Sequence, residues 1–469
     1  MNILQAIASP KLFAPWFKTD SYGAWLVFLS TLFALPMSDE QLAIYQRHTG
    51  RTDPPAQPFN EAWMVVGRRG GKSFFMALVA VFLACWHDYR RYLAPGERAT
   101  VMIIAADRRQ ARVVMRYIRA MISMVPALDK RRVGQFRAEG VDLINSVTIE
   151  VGTASFRATR GYTYAAVICD EIAFWRSDDD SANPDEEILN AIRPGMATIP
   201  TALLLCASSP HARRGELWEA FRRYWGKDSD ILVWKATTRE MNPTINPKII
   251  EQAEERDPAR AAAEYGAEFR QDIEAFVNRE VVEACVIPGL HERPPLSGVD
   301  YSAFVDPSGG SNDAMTLCIG HRENDRSLID CLRERSPPFS PEGVVREFAD
   351  TLKSYGVHEV TGDRYAGEWP REQFRKLGIQ YRLAEKPRSD LYRDMLPTLN
   401  SATVELLDSK KLVNQIVGLE RRVARGGKES IDHSPHSHDD LANAAAGVIS
   451  LLAVERQPTY AVFGNYLSY

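Results

Sequence analysis

The amino-acid sequence predicts an α/β protein in which a parallel-sheet domain is followed by a second α/β domain. The chain has 469 residues, more than one hydrophobic core usually organises. Apolar runs of strand length alternate with helix-like segments and end in polar residues, a pattern typical of buried parallel strands. The predicted divisions are a helical segment (1–60), a core (61–210), a helical lid or linker subdomain (211–285), a Pro- and Gly-rich linker (286–298), a second domain (299–456) and a tail (457–469).

Composition narrows the class of protein. The apolar fraction of 45% and charged fraction of 25% are ordinary for a soluble globular protein. The net charge of −4 excludes an overall basic signature, so contacts with nucleic acid need local patches. Six cysteines without C-x-x-C spacing fit reduced thiols in a cytoplasmic protein. The apolar run Ala24–Met37 is interrupted by Pro36 and is too short for a membrane span, so we expect no membrane contact.

The first domain is organised around a glycine-rich loop between an apolar run, Trp63–Val66, and a helix-like run, Phe74–Trp86. Backbone N–H groups of such a loop bind phosphate, the lysine reaches the β- and γ-phosphates, and the Ser73 hydroxyl binds Mg²⁺. Val66 stands where the motif usually has its first glycine, so an ordinary strand-to-helix turn is the alternative. The predicted ATP-binding residues of the loop are Gly67, Arg68, Arg69, Gly70, Gly71, Lys72 and Ser73.

Two further strands supply matching parts. The run Tyr164–Cys169 ends in Asp170 and Glu171. We expect Asp170 to anchor Mg²⁺ opposite the loop serine, and Glu171 to polarise the attacking water. Thr201–Cys206 leads to Ser208 and Ser209, which would lie near the γ-phosphate and sense its hydrolysis. Together these parts predict a P-loop NTPase domain of the ASCE type.

Two accessory roles remain open within this domain. Arg160 precedes the second strand and could stabilise γ-phosphate charge in the same subunit or a neighbour, or simply pair with a surface carboxylate. A glutamine upstream of the loop can read an adenine edge because its amide both donates and accepts. Gln46 and Gln41 both qualify, and a solvated helix glutamine is the alternative for each.

The second domain opens with three antiparallel-type strands and continues with alternating helices and strands, the order of an RNase H-like fold. Acidic residues follow the first strand (Asp306), follow the fourth (Asp363) and begin the last helix (Asp439 and Asp440). If the strands pair as in that fold, these positions converge, and a pair of divalent ions would relieve their repulsion. Two Mg²⁺ or Mn²⁺ ions can then cleave a phosphodiester. As alternatives, Asp306 is a turn residue and Asp439 a helix N-cap.

A zinc site is the less favoured interpretation of the histidines at 433–438. No matching Cys or His cluster completes four ligands, so His438 is expected to supplement the acidic site.

The ordered set of motifs resembles the large terminase subunit of tailed bacteriophages, from about residue 40 to 455. The motifs are G-R-R-G-G-K-S, R-G, D-E, A-S-S-P, D-P-S-G-G-S-N-D, an isolated Asp363 and H-D-D-L-A-N-A. The resemblance implies an ATPase that translocates double-stranded DNA into a procapsid, and a nuclease that cuts concatemeric DNA. It implies a coupling role for Ser208 and Ser209 and a trans-acting finger role for Arg160.

The resemblance also implies partners and a location: a portal protein, a small terminase subunit and a pentameric ring, in the host cytoplasm at the procapsid portal. Two other functions stay open. A helicase-nuclease would need further helicase motifs between residues 209 and 287, and none is present. A non-catalytic prophage relic that binds portal or DNA would not need the intact Lys72, Asp170 and Glu171.

Overall fold

The computed structural model describes residues 1–17, 20–154, 161–175, 184–270, 272–308, 313–363, 368–423, 429–433 and 438–454. The chain forms two compact units, and the division falls between Glu274 and Ala275. Within the described residues, no helix combines the length and the apolar character that crossing a membrane requires.

The first unit contains one eight-stranded sheet and the helices that cover it. Its strands are β1 (Glu61–Val66), β2 (Ala99–Ala105), β3 (Arg132–Arg137), β4 (Gly140–Leu143), β5 (Val147–Thr153), β6 (Thr163–Asp170), β7 (Leu203–Ser208) and β8 (Ile231–Ala236). Its helices are α1 (Ile3–Ala8), α2 (Gly23–Leu32), α3 (Asp39–Thr49), α4 (Lys72–Trp86), α5 (Arg108–Met124), α6 (Pro126–Asp129), α7 (Pro184–Met196), α8 (Gly215–Tyr224), α9 (Thr238–Met241), α10 (Pro247–Arg256) and α11 (Pro258–Glu264).

The sheet order, β3-β4-β5-β2-β6-β7-β1-β8, confirms the predicted P-loop architecture. The strands from β5 to β8 in this order run parallel, and β7 lies between β1 and β6. Their carboxyl ends therefore meet at one edge, which brings the ends of β1, β6 and β7 together. The helix α4 follows β1 and buries nearly all of its apolar surface, as expected for a helix that is hydrophobic on every face.

The region 211–285 differs from the helical subdomain that the sequence suggests. Its residues Ile231–Ala236 form β8, an edge strand paired in parallel with β1. The strand forms because Leu232, Val233 and Trp234 bury their side chains against the sheet, a tertiary effect that outweighs the local charge-rich pattern. The short strand β9 (Ile273–Ala275) then marks the boundary between the two units.

The second unit contains a six-stranded sheet of order β14-β13-β10-β11-β12-β15. β10, β11 and β12 are antiparallel neighbours, while β13 and β14 run parallel to β10, which confirms the RNase H-like order. Its elements are α12 (Arg279–Glu283), β10 (Tyr301–Asp306), β11 (Met315–Glu323), β12 (Arg326–Arg335), α13 (Pro341–Ser354), β13 (Glu359–Gly362), α14 (Glu368–Lys376), β14 (Gln380–Leu383), α15 (Arg388–Asn400), β15 (Val404–Glu405), α16 (Lys410–Val417), β16 (Leu419–Val423), β17 (Glu429–His433) and α17 (Asp440–Val454).

The last helix and the segments around it complete the second unit. The last helix, α17, crosses β10 closely, since a Cβ atom on Gly447 would lie 2.2 Å from the Phe304 ring. The antiparallel pair β16–β17 adds two strands before the last helix. The expected linker also differs, because Ile287 N–H donates to the Leu406 carbonyl and Arg293 N–H to that of Asp330. Those bonds tie residues 287–293 to this unit.

Candidate nucleotide and metal sites

The glycine-rich loop joins β1 to α4 and takes its tight turn at two positions. Arg69 has a φ of 66° and Gly71 a φ of 98°, both in the left-handed region. Val66 is the last residue of β1 and does not need that conformation. Its carbonyl accepts a hydrogen bond of 3.0 Å from Lys72 Nζ. The departure from the usual motif is therefore compatible with the loop, because a strand residue suffices at this position.

Three side chains that no sequence motif marks support the loop. Trp25 Nε1 donates to the Gly70 carbonyl at 2.8 Å, and Thr238 Oγ1 donates to the Arg68 carbonyl at 2.8 Å. Asn242 Nδ2 donates to the Arg69 carbonyl at 2.9 Å. Sequence reasoning overlooks these residues, since they come from distant segments of the same unit. They bind three consecutive peptide carbonyls and so hold the loop in its turn.

Lys72 connects the loop to the two other strands. Its Nζ lies 3.2 Å from Glu171 Oε1 and donates to Ser209 Oγ at 3.0 Å. Glu171 Oε2 accepts from Ser208 Oγ at 3.0 Å and from Ser209 N–H at 3.2 Å. Glu171 also has a φ of 52°, a strained conformation for a non-glycine residue. The structure thus brings the predicted lysine, catalytic glutamate and coupling serines into one network.

The expected Mg²⁺ anchor lies beside this network. Ser73 Oγ donates to Asp170 Oδ2 at 3.1 Å, and Asp170 is 2% exposed. Within the described part of the chain, Asp170 Oδ1 is buried without a hydrogen-bond partner. Burial, and next the Glu171 charge, raise the pKa of Asp170 to about 7. The Ser73 hydroxyl and the Asp170 carboxylate, one of whose oxygens is unpartnered among the described residues, are donors of the kind that Mg²⁺ prefers.

The predicted arginine finger and the two candidate adenine-contacting glutamines differ in what the structure shows of them. Arg160 lies outside the described residues. Gln41 Oε1 accepts from Ser38 N–H at 3.0 Å, as part of the cap of α3. Gln46 is exposed, and its Nε2 donates to the Thr52 carbonyl at 2.9 Å. Both amides are therefore engaged locally, and an adenine contact stays a prediction.

In the second unit, the strand pairing brings two predicted acids together. β10 and β13 are parallel with Val305 opposite Gly362, so Asp306 and Asp363 follow at neighbouring strand ends. Burial, together with the charges of Asp440, Asp363 and Asp439, raises the pKa of Asp306 to about 8. All four predicted acids are thus close enough to interact electrostatically.

The start of α17 supplies the remaining groups. Asn443 Nδ2 donates to Asp306 Oδ2 at 2.8 Å and links this helix directly to the end of β10. Burial, and next the Asp439 charge, raise the pKa of Asp440 to about 6. His438 Nδ1 lies 3.9 Å from Asp440 Oδ2, beside the acidic site. Asn443 lies within the H-D-D-L-A-N-A motif, but the sequence alone does not assign it a role.

The four acidic side chains of this cluster differ in how well they suit divalent ions. Carboxylates and an amide are the oxygen donors that Mg²⁺ and Mn²⁺ prefer. Of the residues that the structure describes, no three His, Cys, Asp or Glu side chains are arranged to hold one ion by themselves. Asp439 differs from the others because Arg388 Nη1 at 2.9 Å and Tyr392 Oη at 2.7 Å engage its two oxygens. Asp306, Asp363 and Asp440 are the carboxylates that fit divalent ions, with further oxygen ligands from solvent or substrate.

The fold and its two sites define a class: a P-loop NTPase domain joined to an RNase H-like domain. No family model and no curated protein matches the chain. Among solved structures, the HK97 bacteriophage large terminase is similar at 17% identity and a TM-score of 0.39, over 89% of this chain and 96% of that one. The large terminase of a thermophilic bacteriophage, solved in complex with ATP-γ-S, has 11% identity and a TM-score of 0.37, over 88% and 99%.

A third solved structure covers a smaller share of this chain. The large terminase nuclease of thermophilic phage G20c with bound magnesium has 15% identity and a TM-score of 0.33, over 36% of this chain and 94% of that one. Because all three TM-scores are below 0.5, the case for function rests on the sheet orders and site geometry described above.

Proposed function

We propose that this chain is the large terminase subunit of a tailed bacteriophage. In this role it hydrolyses ATP to move double-stranded viral DNA into a procapsid, and it cuts concatemeric DNA with two divalent ions. The observation that carries the proposal is the presence of two distinct centres in one chain. One is the Lys72–Glu171–Ser209 network, and the other is the cluster of Asp306, Asp363 and Asp440.

The first centre supports ATP hydrolysis through residues that are already connected. The γ-phosphate would compete with Glu171 for Lys72 Nζ, since both are anionic partners of the same ammonium group. Glu171, still held by Ser208 Oγ and Ser209 N–H, would then accept a proton from the attacking water. The same bonds give the serines a means to sense hydrolysis. Ser73 and Asp170 would hold Mg²⁺, which when bound would neutralise charge at the phosphates.

The second centre supports hydrolysis of a phosphodiester. Asp306, Asp363 and Asp440 would hold the ions, which supply an activated water and stabilise the leaving 3′-oxygen. Asn443 orients Asp306 through the hydrogen bond between them. The raised pKa of Asp306 comes from burial and from the neighbouring acids, so binding of a cation there would relieve an existing electrostatic strain.

The proposal extends to partners and place of action. The chain would form a homo-oligomeric, pentameric ring on the portal protein in the host cytoplasm, with a small terminase subunit that selects the DNA. Arg160 of one subunit would serve as a finger for γ-phosphate charge. The helicase-nuclease alternative is not favoured, because the second unit has the RNase H-like strand order together with the convergent acids.

Digestion of a supercoiled plasmid with Mg²⁺ or Mn²⁺ tests the nuclease half. Asp363→Ala should lose nicking and linearisation, while Asp350→Ala, an exposed aspartate on α13, should cut like the wild type. Equal cutting by Asp363→Ala and wild type would remove the site assignment. Absence of cutting by the wild type with either metal would count against the nuclease function itself.

A further inference from the structure

The start of α17 contains two adjacent aspartates with different environments. Asp439 occupies the N-cap position, where an aspartate usually accepts the free N–H groups of the first turn. Here another side chain takes that role: Gln415 Oε1 accepts from Leu441 N–H at 2.8 Å and from Ala442 N–H at 3.1 Å. The Asp439 carboxylate is therefore not the cap of this helix.

The Asp439 carboxylate is instead bound on both oxygens. Arg388 Nη1 lies 2.9 Å from Oδ1, and Tyr392 Oη donates to Oδ2 at 2.7 Å. The Asp439 side chain is only 3% exposed, and Tyr392 is fully buried. Arg388 also bonds Asp432 on β17 at 3.1 Å, so one guanidinium joins α15, β17 and the start of α17. A metal ion could reach Asp439 only by displacing a buried charge-assisted pair.

One turn further along α17, Asn443 makes contact with the acidic centre. Its Nδ2 donates to Asp306 Oδ2 at 2.8 Å, and the residue is 1% exposed. Because a carboxylate only accepts, the amide nitrogen must face Asp306. Among the described residues, Asn443 Oδ1 has no hydrogen-bond partner, although it is buried. Asp440 and Asn443 are three residues apart and lie on one face of the helix.

We infer that the start of α17 divides two roles between neighbouring residues. Asn443 is a positioning residue of the metal centre: it fixes Asp306, and its unpartnered carbonyl oxygen would accept from a group that the ion brings. Asp439 is no metal ligand; with Arg388 and Tyr392 it anchors the helix so that Asp440 faces Asp306. This inference rests on the proposed nuclease function, and it selects Asp440 over Asp439 as the third carboxylate.

Calorimetric titration of the full chain with Mn²⁺ separates the two roles, using Asp170→Asn as the background to remove the ion site of the first unit. Asp440→Asn and Asn443→Ala should each weaken Mn²⁺ binding by about tenfold or more, the range for ligands and their orienting partners. Asp439→Asn should weaken it by less than about threefold. Asn400→Ala, at the exposed end of α15, is the matched control.

Melting temperature without metal provides the second readout. Asn443→Ala should lower the metal-free melting temperature by no more than a few degrees, because it removes one buried hydrogen bond to Asp306, so its role at the metal centre is read from Mn²⁺ affinity. Asp439→Asn and Arg388→Gln should each lower it, and the double variant should lose less than the sum of the two, because the residues act as one pair.

The outcomes distinguish the inference from the function on which it rests. Loss of Mn²⁺ binding in Asp439→Asn equal to that in Asp440→Asn would overturn the division of roles while leaving the nuclease centre in place. Unchanged binding in Asn443→Ala would do the same. If the Asp170→Asn chain binds no Mn²⁺ at all, both the inference and the proposed nuclease function fail.

Discussion

The two centres differ in how far they are organised before any ligand binds. At the loop of the first unit, a cation and an anion already pair: Lys72 lies 3.2 Å from Glu171, and Ser73 bonds Asp170. In the second unit, the carboxylates share one region and repel each other, and Asp306 has its pKa raised to about 8. Charge balance within the protein organises the first centre, whereas in the proposed second centre added cations would relieve the repulsion. The two should therefore fail differently when they are altered.

The largest effect is expected at the lysine of the first centre. Lys72→Ala removes the group proposed to contact the γ-phosphate and leaves Glu171 without its buried cation. We expect ATP hydrolysis to fall by about 10²–10³-fold or more, the range for loss of one charge-stabilising donor. Steady-state phosphate release measures this, with Lys227→Ala, an exposed lysine, as the control. Hydrolysis within about threefold of wild type would exclude Lys72 from the site.

The corresponding change in the second unit should greatly reduce activity without lowering the melting temperature. Asp306→Asn removes a buried carboxylate that interacts with three other acids. We expect DNA cleavage to fall by about 10²-fold, while the metal-free melting temperature stays unchanged or rises by a few degrees. Scanning fluorimetry with and without Mg²⁺ would show the stabilisation by metal disappearing. A lower metal-free melting temperature would mean that Asp306 is a structural residue.

A smaller effect is expected from the backbone of the loop. A Cβ atom at Gly67 would lie 2.3 Å from Thr238 Oγ1 and 2.7 Å from the Tyr265 carbonyl. Gly67→Ala should therefore disturb the Thr238 bond to the Arg68 carbonyl and weaken ATP binding by about tenfold. Gly23→Ala is the matched control, because nothing lies within 4 Å of its Cβ position. Equal nucleotide affinity in the two variants would show that this support does not matter.

The last comparison concerns the pH dependence of stability. The pKa of Asp306 is about 8 in the folded chain, against about 3.9 for an unperturbed aspartate, so the folded state binds this proton more tightly. Stability of the metal-free protein should consequently fall as pH rises from about 4 to about 8, and this component should be absent in Asp306→Asn. Melting temperatures in EDTA across this range, compared between the two proteins, measure it. Parallel curves would contradict the shifted pKa.

The sequence predicts the residues of the two proposed centres better than it predicts the residues that hold them in place. Glycines, Lys72 and acids at strand ends follow local rules, since turn geometry and strand alternation are written in neighbouring residues. Trp25 and Thr238 act on residues far along the chain, and no local pattern marks them. Asn443 lies within the H-D-D-L-A-N-A motif, but its contact with Asp306 depends on how the last helix packs and not on its sequence neighbours. The strand Ile231–Ala236 escapes sequence reasoning for the same reason: its position beside β1 is decided by burial in the sheet.

One experiment tests most directly whether this chain contains two separate centres: measuring both activities in both variants from the same preparations. The account predicts that Lys72→Ala cleaves plasmid DNA like the wild type without ATP, and that Asp306→Asn hydrolyses ATP like the wild type without DNA. Loss of both activities in either variant, with the protein folded by its melting curve, would contradict two independent centres.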